Sequence, residues 1–168
     1  MSEWRNRIVE QRLVPIAELK ANPHNWRKHP TAQRGALADL LRDVGVVQGV
    51  IFNQRTGRLV DGHLRVELAE KAGQTTVPVT VVDLDEGEER LVLATLDPIG
   101  MMAEADSQLL TSILSELNVE SESLGELLKT MADEIVEDDV IVGKAYDVDV
   151  EEKVKFATCP NCKHRFPI

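Results

Sequence analysis

Gly62, His63 and Arg65 place a close-approach glycine, an imidazole and a guanidinium within four positions, a set that can hold a phosphate. An apolar, hairpin-like pair of segments, Val50-Ile51-Phe52 and Arg58-Leu59-Val60, comes before them, and Leu64, Leu68 and Ala72 follow at helical spacing. The pattern predicts a strand-to-helix junction. The first N–H groups of a helix have no intrahelical partner, and its dipole favours an anion there. Gly62 lets the backbone come close, while His63 and Arg65 supply donors to phosphate oxygens. An imidazolium at His63 would strengthen anion binding as pH falls through about 6.5. The competing reading is structural: Asp61 caps the helix and the two polar side chains are solvated.

A second concentration of polar chemistry lies in Asn22-Pro23-His24-Asn25-Trp26-Arg27-Lys28-His29-Pro30, a loop by its prolines and asparagines. Trp26 is expected to plug into the core, which leaves Arg27 and Lys28 for a ligand. Gln33 and Arg34 fall in the first turn of a helix that Thr31 should cap, whose apolar face is Leu37, Leu40, Leu41 and Val44 and which Gly45 stops. Phosphotransfer would need a carboxylate for Mg²⁺, and Asp61, Glu67, Asp83 and Asp97 are available without a spacing that singles one out. Metal-assisted hydrolysis would need His24, His29 and His63 to converge.

Cys159-Pro160-Asn161-Cys162 is a third candidate, one knuckle of a zinc ribbon entered by a strand from Lys153. Zn²⁺ takes four ligands and the chain has two cysteines, so either a second copy of the chain completes the site or the thiols stay free.

The elements that must position these residues follow from the pattern. Arg7 to Val14 reads as a strand ended by Pro15, followed by a short helical turn. Val46 to Phe52 is a second strand. Thr76 to Val82 is a buried-type strand, edge-like at its start because of Pro78. Asp85 to Leu96 is helical. Leu109, Leu110, Ile113, Leu114 and Leu117 mark an amphipathic helix, Leu124, Leu127, Leu128 and Met131 another, and Asp133 to Asp139 an acidic linker.

The chain of 168 residues is 43% apolar and carries a net charge of −10. That charge is uneven. Residues 1–100 hold 13 Lys+Arg against 14 Asp+Glu, a balance of −1, and the remainder 6 against 15, a balance of −9. A near-neutral N-terminal domain can still offer a basic patch to a polyanion. No stretch approaches the roughly 20 apolar residues of a membrane span, and no signal peptide is visible, so a cytoplasmic protein is expected.

Four features together resemble the ParB/sulfiredoxin-like superfamily, in particular the ParB-like domains of phage and bacteria that occur alone or ahead of DNA methyltransferase modules. These are the Asn22-Pro23 to Arg27-Lys28-His29 loop, the helix from Thr31 to Asp43-Val44-Gly45, the Asp61-Gly62-His63-Leu64-Arg65 junction, and Val77-Pro78-Val79 before an acidic helix. The resemblance implies an α+β fold, a small mixed sheet flanked by helices. It also implies a ParB-like domain over residues 6–117, after which the residues themselves predict an acidic helical arm and linker over 118–150 and a zinc-ribbon-like knuckle over 151–168. Carried over by position, Gly62, His63, Arg65 and Arg27, and more weakly Gln33 and Arg34, face a nucleotide or a DNA phosphate. ATP or CTP with Mg²⁺ is the implied cofactor. Where relatives carry an Asp-Asn-Arg-like triplet, this chain has Asp97-Pro98-Ile99, which removes a phosphate contact.

Three functions stay open. The first is a binding module of nucleic-acid metabolism, acting through DNA, a protein partner or its own oligomer. The second is a phosphotransferase or metal-dependent nuclease on the same cleft. The third is an interaction protein with a vestigial cleft.

Overall fold

The computed structural model describes residues 3–142, 156–158 and 165–167. The elements in chain order are β1 (Ile8–Pro15), a 3-10 turn (Ile16–Glu18), α1 (Thr31–Asp43), β2 (Val50–Asn53), β3 (Arg58–Asp61), α2 (His63–Lys71) and β4 (Thr76–Val82). They continue with α3 (Glu86–Met101), α4 (Ser107–Glu116), α5 (Glu122–Val142), β5 (Phe156–Thr158) and β6 (Arg165–Pro167). The class is α+β, as expected. A four-stranded mixed sheet has the order β1-β4-β2-β3, with β4 antiparallel to β1 and parallel to β2, and β2 antiparallel to β3.

Alternation along the strands creates two cores, one on each face of this sheet. Val77, Val79 and Val81 of β4 point to one face with Val14, Val50 and Leu59, where Leu19 and Val66 of α2 close over them. Val60 and Val82 point to the other, against Leu84, which precedes α3, and Leu93 of α3. Burying each such side chain contributes about 1.5–3 kcal/mol, so both helices are held by the sheet rather than by helix propensity. α2 is thereby pinned with its N-terminus at the end of β3, and α3 runs along the opposite face.

Several boundaries differ from the sequence expectation for identifiable reasons. α1 is preceded by Pro30, which makes no side-chain cap, and Thr31 is already helical. β2 starts at Val50, because Val46 and Val47 are exposed and no strand flanks them. β4 pairs with β2 only from Val79, so its first residues form an edge on that side and Pro78 is tolerated. α3 begins with a capping box between Asp85 and Glu88 and continues past Leu96 through Pro98, which falls in its last turn. Of the arm or linker expected after Met131, the acidic stretch to Val142 is helix, and Ile135 extends the apolar spacing of α5.

The chain divides into two compact units, Met1–Lys129 and Thr130–Ile168. In the first, Asp39 of α1 caps the start of α5, its Oδ2 accepting the N–H groups of Ser123 at 3.1 Å and Leu124 at 3.2 Å. In the second, β5 pairs antiparallel with β6, Ala157 opposite Phe166. Cys159 and Cys162, between these two strands in sequence, lie outside the described residues.

Candidate functional site

A cleft of about 580 Å³ opens where the 25–29 loop, the first turns of α1 and α2 and the end of α3 meet. Arg27, Gln33, Gly62, His63 and Arg65 line it, together with Asp61 and Asp97. Arg34 does not. Its Nη1 is 2.5 Å from Glu67 Oε1 and its Nε donates to the His29 carbonyl at 3.1 Å, so it ties α1 to α2 behind the loop. Lys71 joins the same carboxylate at 2.8 Å, and hydrogen bonds from Lys71 and Arg34 hold the Glu67 carboxyl down at about 2.

Gly62 occupies the turn into α2 with φ +88°, a left-handed conformation that side chains disfavour. A Cβ there would come within 2.5 Å of Val50 Cγ1. The close approach that the sequence assigned to a phosphate is thus already used by β2. Asp61 does not cap the helix. Its carboxylate pairs with Arg65 at 2.5 Å, both side chains being less than one-fifth exposed. Arg65 Nη1 also donates to Gln48 Oε1 at 3.3 Å, whereas its Nε is buried with no partner.

Arg27 repeats this arrangement from the loop. Nη1 pairs with Asp97 at 2.7 Å, the guanidinium lies 5.2 Å from the centre of the Trp26 ring, and Nη2 is buried without a partner. Trp26 is therefore not the expected core plug. Its ring is 60% exposed, fixed by an Nε1 hydrogen bond to the Leu93 carbonyl at 3.2 Å, and serves as a platform for Arg27.

His63 is held in one protonation state by its neighbour. The Asn22 backbone N–H donates to Nε2 at 3.1 Å, so that nitrogen is an acceptor and the neutral ring carries its proton on Nδ1. Burial pushes the pKa below its usual 6.5, against the pull of Asp61 and with the push of Arg27 and His29. His29 itself contacts Gln33 Oε1 at 3.0 Å, and His24 is exposed and away from the cleft. The histidine convergence required for metal-assisted hydrolysis is not formed, and among the described residues there is no group of three or more His, Cys, Asp or Glu that could hold a metal ion.

Sequence reasoning missed Glu89, Asn53 and Asn22, the buried polar residues of the domain. Glu89 is 2% exposed and accepts from Asn22 Nδ2 at 2.8 Å, Asn53 Nδ2 at 2.7 Å and the Thr56 hydroxyl. Burial opposes its ionisation, but the bonds from Thr56, Asn53 and Asn22 outweigh this and hold the carboxyl below the usual range. The signal was available in part: Glu89 stands four residues before the buried Leu93, a charge on the apolar stripe of α3.

The family model of the ParB N-terminal domain matches residues 2–96, more than half of the chain. The chain belongs to the ParB N-terminal domain family. Over 78 residues, 45% of its length, it is 33% identical to the ParB-like nuclease domain-containing protein YnaK of Escherichia coli (strain K12), covering 88% of that protein. The C-terminally truncated chromosome-partitioning protein ParB from Caulobacter crescentus, complexed with CTP-gamma-S, is similar at a TM-score of 0.50 and 28% identity. The match covers 63% of this chain and spans 60% of the Caulobacter chain. The same Caulobacter protein complexed to the centromeric parS site gives a TM-score of 0.42 at 19% identity, over 84% of this chain and 75% of that one. Among the described residues of this ParB N-terminal domain, no helix is long and apolar enough to cross a membrane.

Proposed function

We propose that this cleft binds the phosphates of a nucleotide, CTP before ATP, and that the domain acts in nucleic-acid metabolism through its bound ligand. The carrying observation is the pair of buried guanidinium nitrogens, Arg27 Nη2 and Arg65 Nε, that have no hydrogen-bond partner beside the start of α2. A buried donor left unmade costs about 1–3 kcal/mol, and more when charged, so two in one cleft favour an anion as the missing acceptor. The CTP-gamma-S complex of the Caulobacter relative supports the choice of base.

Binding is favoured over phosphotransfer because all four carboxylates considered for a metal are engaged by arginine: Asp61 by Arg65, Glu67 by Arg34, Asp83 by Arg55 at 2.8 Å, and Asp97 by Arg27. Mg²⁺ would then arrive on the nucleotide's own phosphates. Asp97-Pro98-Ile99, held inside α3, offers the ligand no additional donor side chain, which points the same way.

Titration of the purified protein with CTP, ATP and a short DNA duplex tests this reading. Arg27→Ala should weaken CTP binding roughly tenfold to a hundredfold, the equivalent of about 1.5–3 kcal/mol for a charge-assisted contact. Arg65→Ala should do the same and also lower stability by about 1–3 kcal/mol, because Asp61 would lose its partner. If the wild-type protein and both variants bind all three probes alike, or none at all, the cleft is not the site.

A further inference from the structure

Glu89 is buried on α3 one turn before Leu93 of the second core, and it reaches the cleft through one residue. Its Oε1 takes the Asn22 side-chain amide, and the backbone N–H of that same asparagine is the donor to His63 Nε2. Asn22 is also held by its own oxygen, which accepts the His24 N–H at 3.0 Å. The asparagine is therefore clamped from three directions, with its backbone donor aimed at the imidazole.

We infer that Glu89 is a positioning residue for the cleft: through Asn22 it fixes the tautomer of His63, so that Nδ1–H is the hydrogen-bond donor available to a bound phosphate. This rests on the nucleotide reading of the cleft given above. Asn53 at the end of β2 and Thr56 from the β2–β3 connection hold the other carboxylate oxygen, Asn53 being fully buried and anchored by Leu84 on both its amide atoms. The nearby charge on Glu89 is Arg58, and the groups facing His63 are Asp61, Arg27 and His29. None of these supplies a bond that could replace the Asn22 link.

Glu89→Gln isolates the effect. A glutamine keeps the shape but has one oxygen, which turns to the two donors Asn53 and Thr56. Its NH₂ then faces the NH₂ of Asn22, donor against donor, and Asn22 cannot reverse its amide without releasing His24. Thr56→Val is the contrasting variant, because it removes a bond to Glu89 on the side away from Asn22.

The tautomer of His63 is read from its ring ¹⁵N shifts by long-range NMR correlation, and CTP affinity by titration of the full chain. Wild type and Thr56→Val should show one tautomer protonated at Nδ1 and equal CTP affinity. Glu89→Gln should show mixed tautomers and bind CTP roughly tenfold more weakly, the loss of about one hydrogen bond. Asn22→Ala, which breaks the same link from the other end, should reproduce both changes and replaces Glu89→Gln if that variant does not fold. Unchanged tautomer and affinity in the variant that folds would overturn the inference. Should the wild type bind no CTP, the nucleotide reading fails by itself, and the tautomer measurement alone decides whether Glu89 positions His63.

Discussion

With Nε2 of His63 already accepting the Asn22 N–H, protonating the ring would set one donor against another. The sequence expectation that anion binding strengthens as pH falls through about 6.5 therefore has the wrong midpoint. Burial keeps the folded pKa below 6.5, so between 6.5 and that lower value the unfolded chain takes up a proton that the folded chain refuses. Stability contributed by neutral His63 is complete above 6.5 and falls as pH drops below it. Urea unfolding at successive pH values should show this decline in the wild type and a flatter profile in His63→Asn, and the NMR midpoint of His63 should lie below 6.5. A midpoint at or above 6.5 would contradict the Asn22 bond. Gly62, His63, Arg65 and Arg27, which the structure brings to one cleft, were legible as candidates because their chemistry is local to a short motif. Glu89 was not, because its three partners come from positions 33 to 67 residues away, and the position of Arg34 outside the cleft was not, because its salt bridge to Glu67 exists only once α1 meets α2.

At the scale of elements, the turn between β3 and α2 joins the sheet to the cleft, and glycine is required there twice over. Gly62→Ala should cost about 2–4 kcal/mol, from forcing a left-handed alanine and from overpacking against Val50. Combining it with Val50→Ala should recover the overpacking part, so the two substitutions will not be additive in a chemical-denaturation cycle. Strict additivity would mean that the contact at 2.5 Å is relieved by backbone movement. β4 could be read from the sequence because alternating burial of Val77, Val79 and Val81 dictates it, and α1 and α2 because Pro30 and Gly45, and Gly62 and Gly73, bracket them. The end of α3 could not, since a proline beyond the first turn of a helix reads as a break and α3 nevertheless runs through Pro98 to Met101.

For the molecule as a whole, compactness divides at 129, whereas the sequence divides function at 117 and 150. Those two borders, and zinc at Cys159 and Cys162, remain our proposals. If the knuckle binds Zn²⁺ by sharing it with a second copy, purified protein should contain about half an ion per chain and run as a dimer, and Cys159→Ser should abolish both. A full ion per chain in a monomer would require ligands other than these two cysteines, and no metal would leave two free thiols.

The placement of β1 at the sheet edge beside β4 has a consequence for synthesis. Ile8 pairs with Val82, so the start of the first strand is made 74 residues before its partner. At about 5–20 residues per second, β1 waits roughly 4–15 s with its backbone unpaired and Val14, its one buried side chain, unprotected. The β2–β3 hairpin and α2 are made within that interval and can assemble locally, but β4 must insert between β1 and β2 to close the sheet. The nascent chain is thus most vulnerable to pairing with a neighbouring nascent chain until residue 82 has emerged from the ribosome.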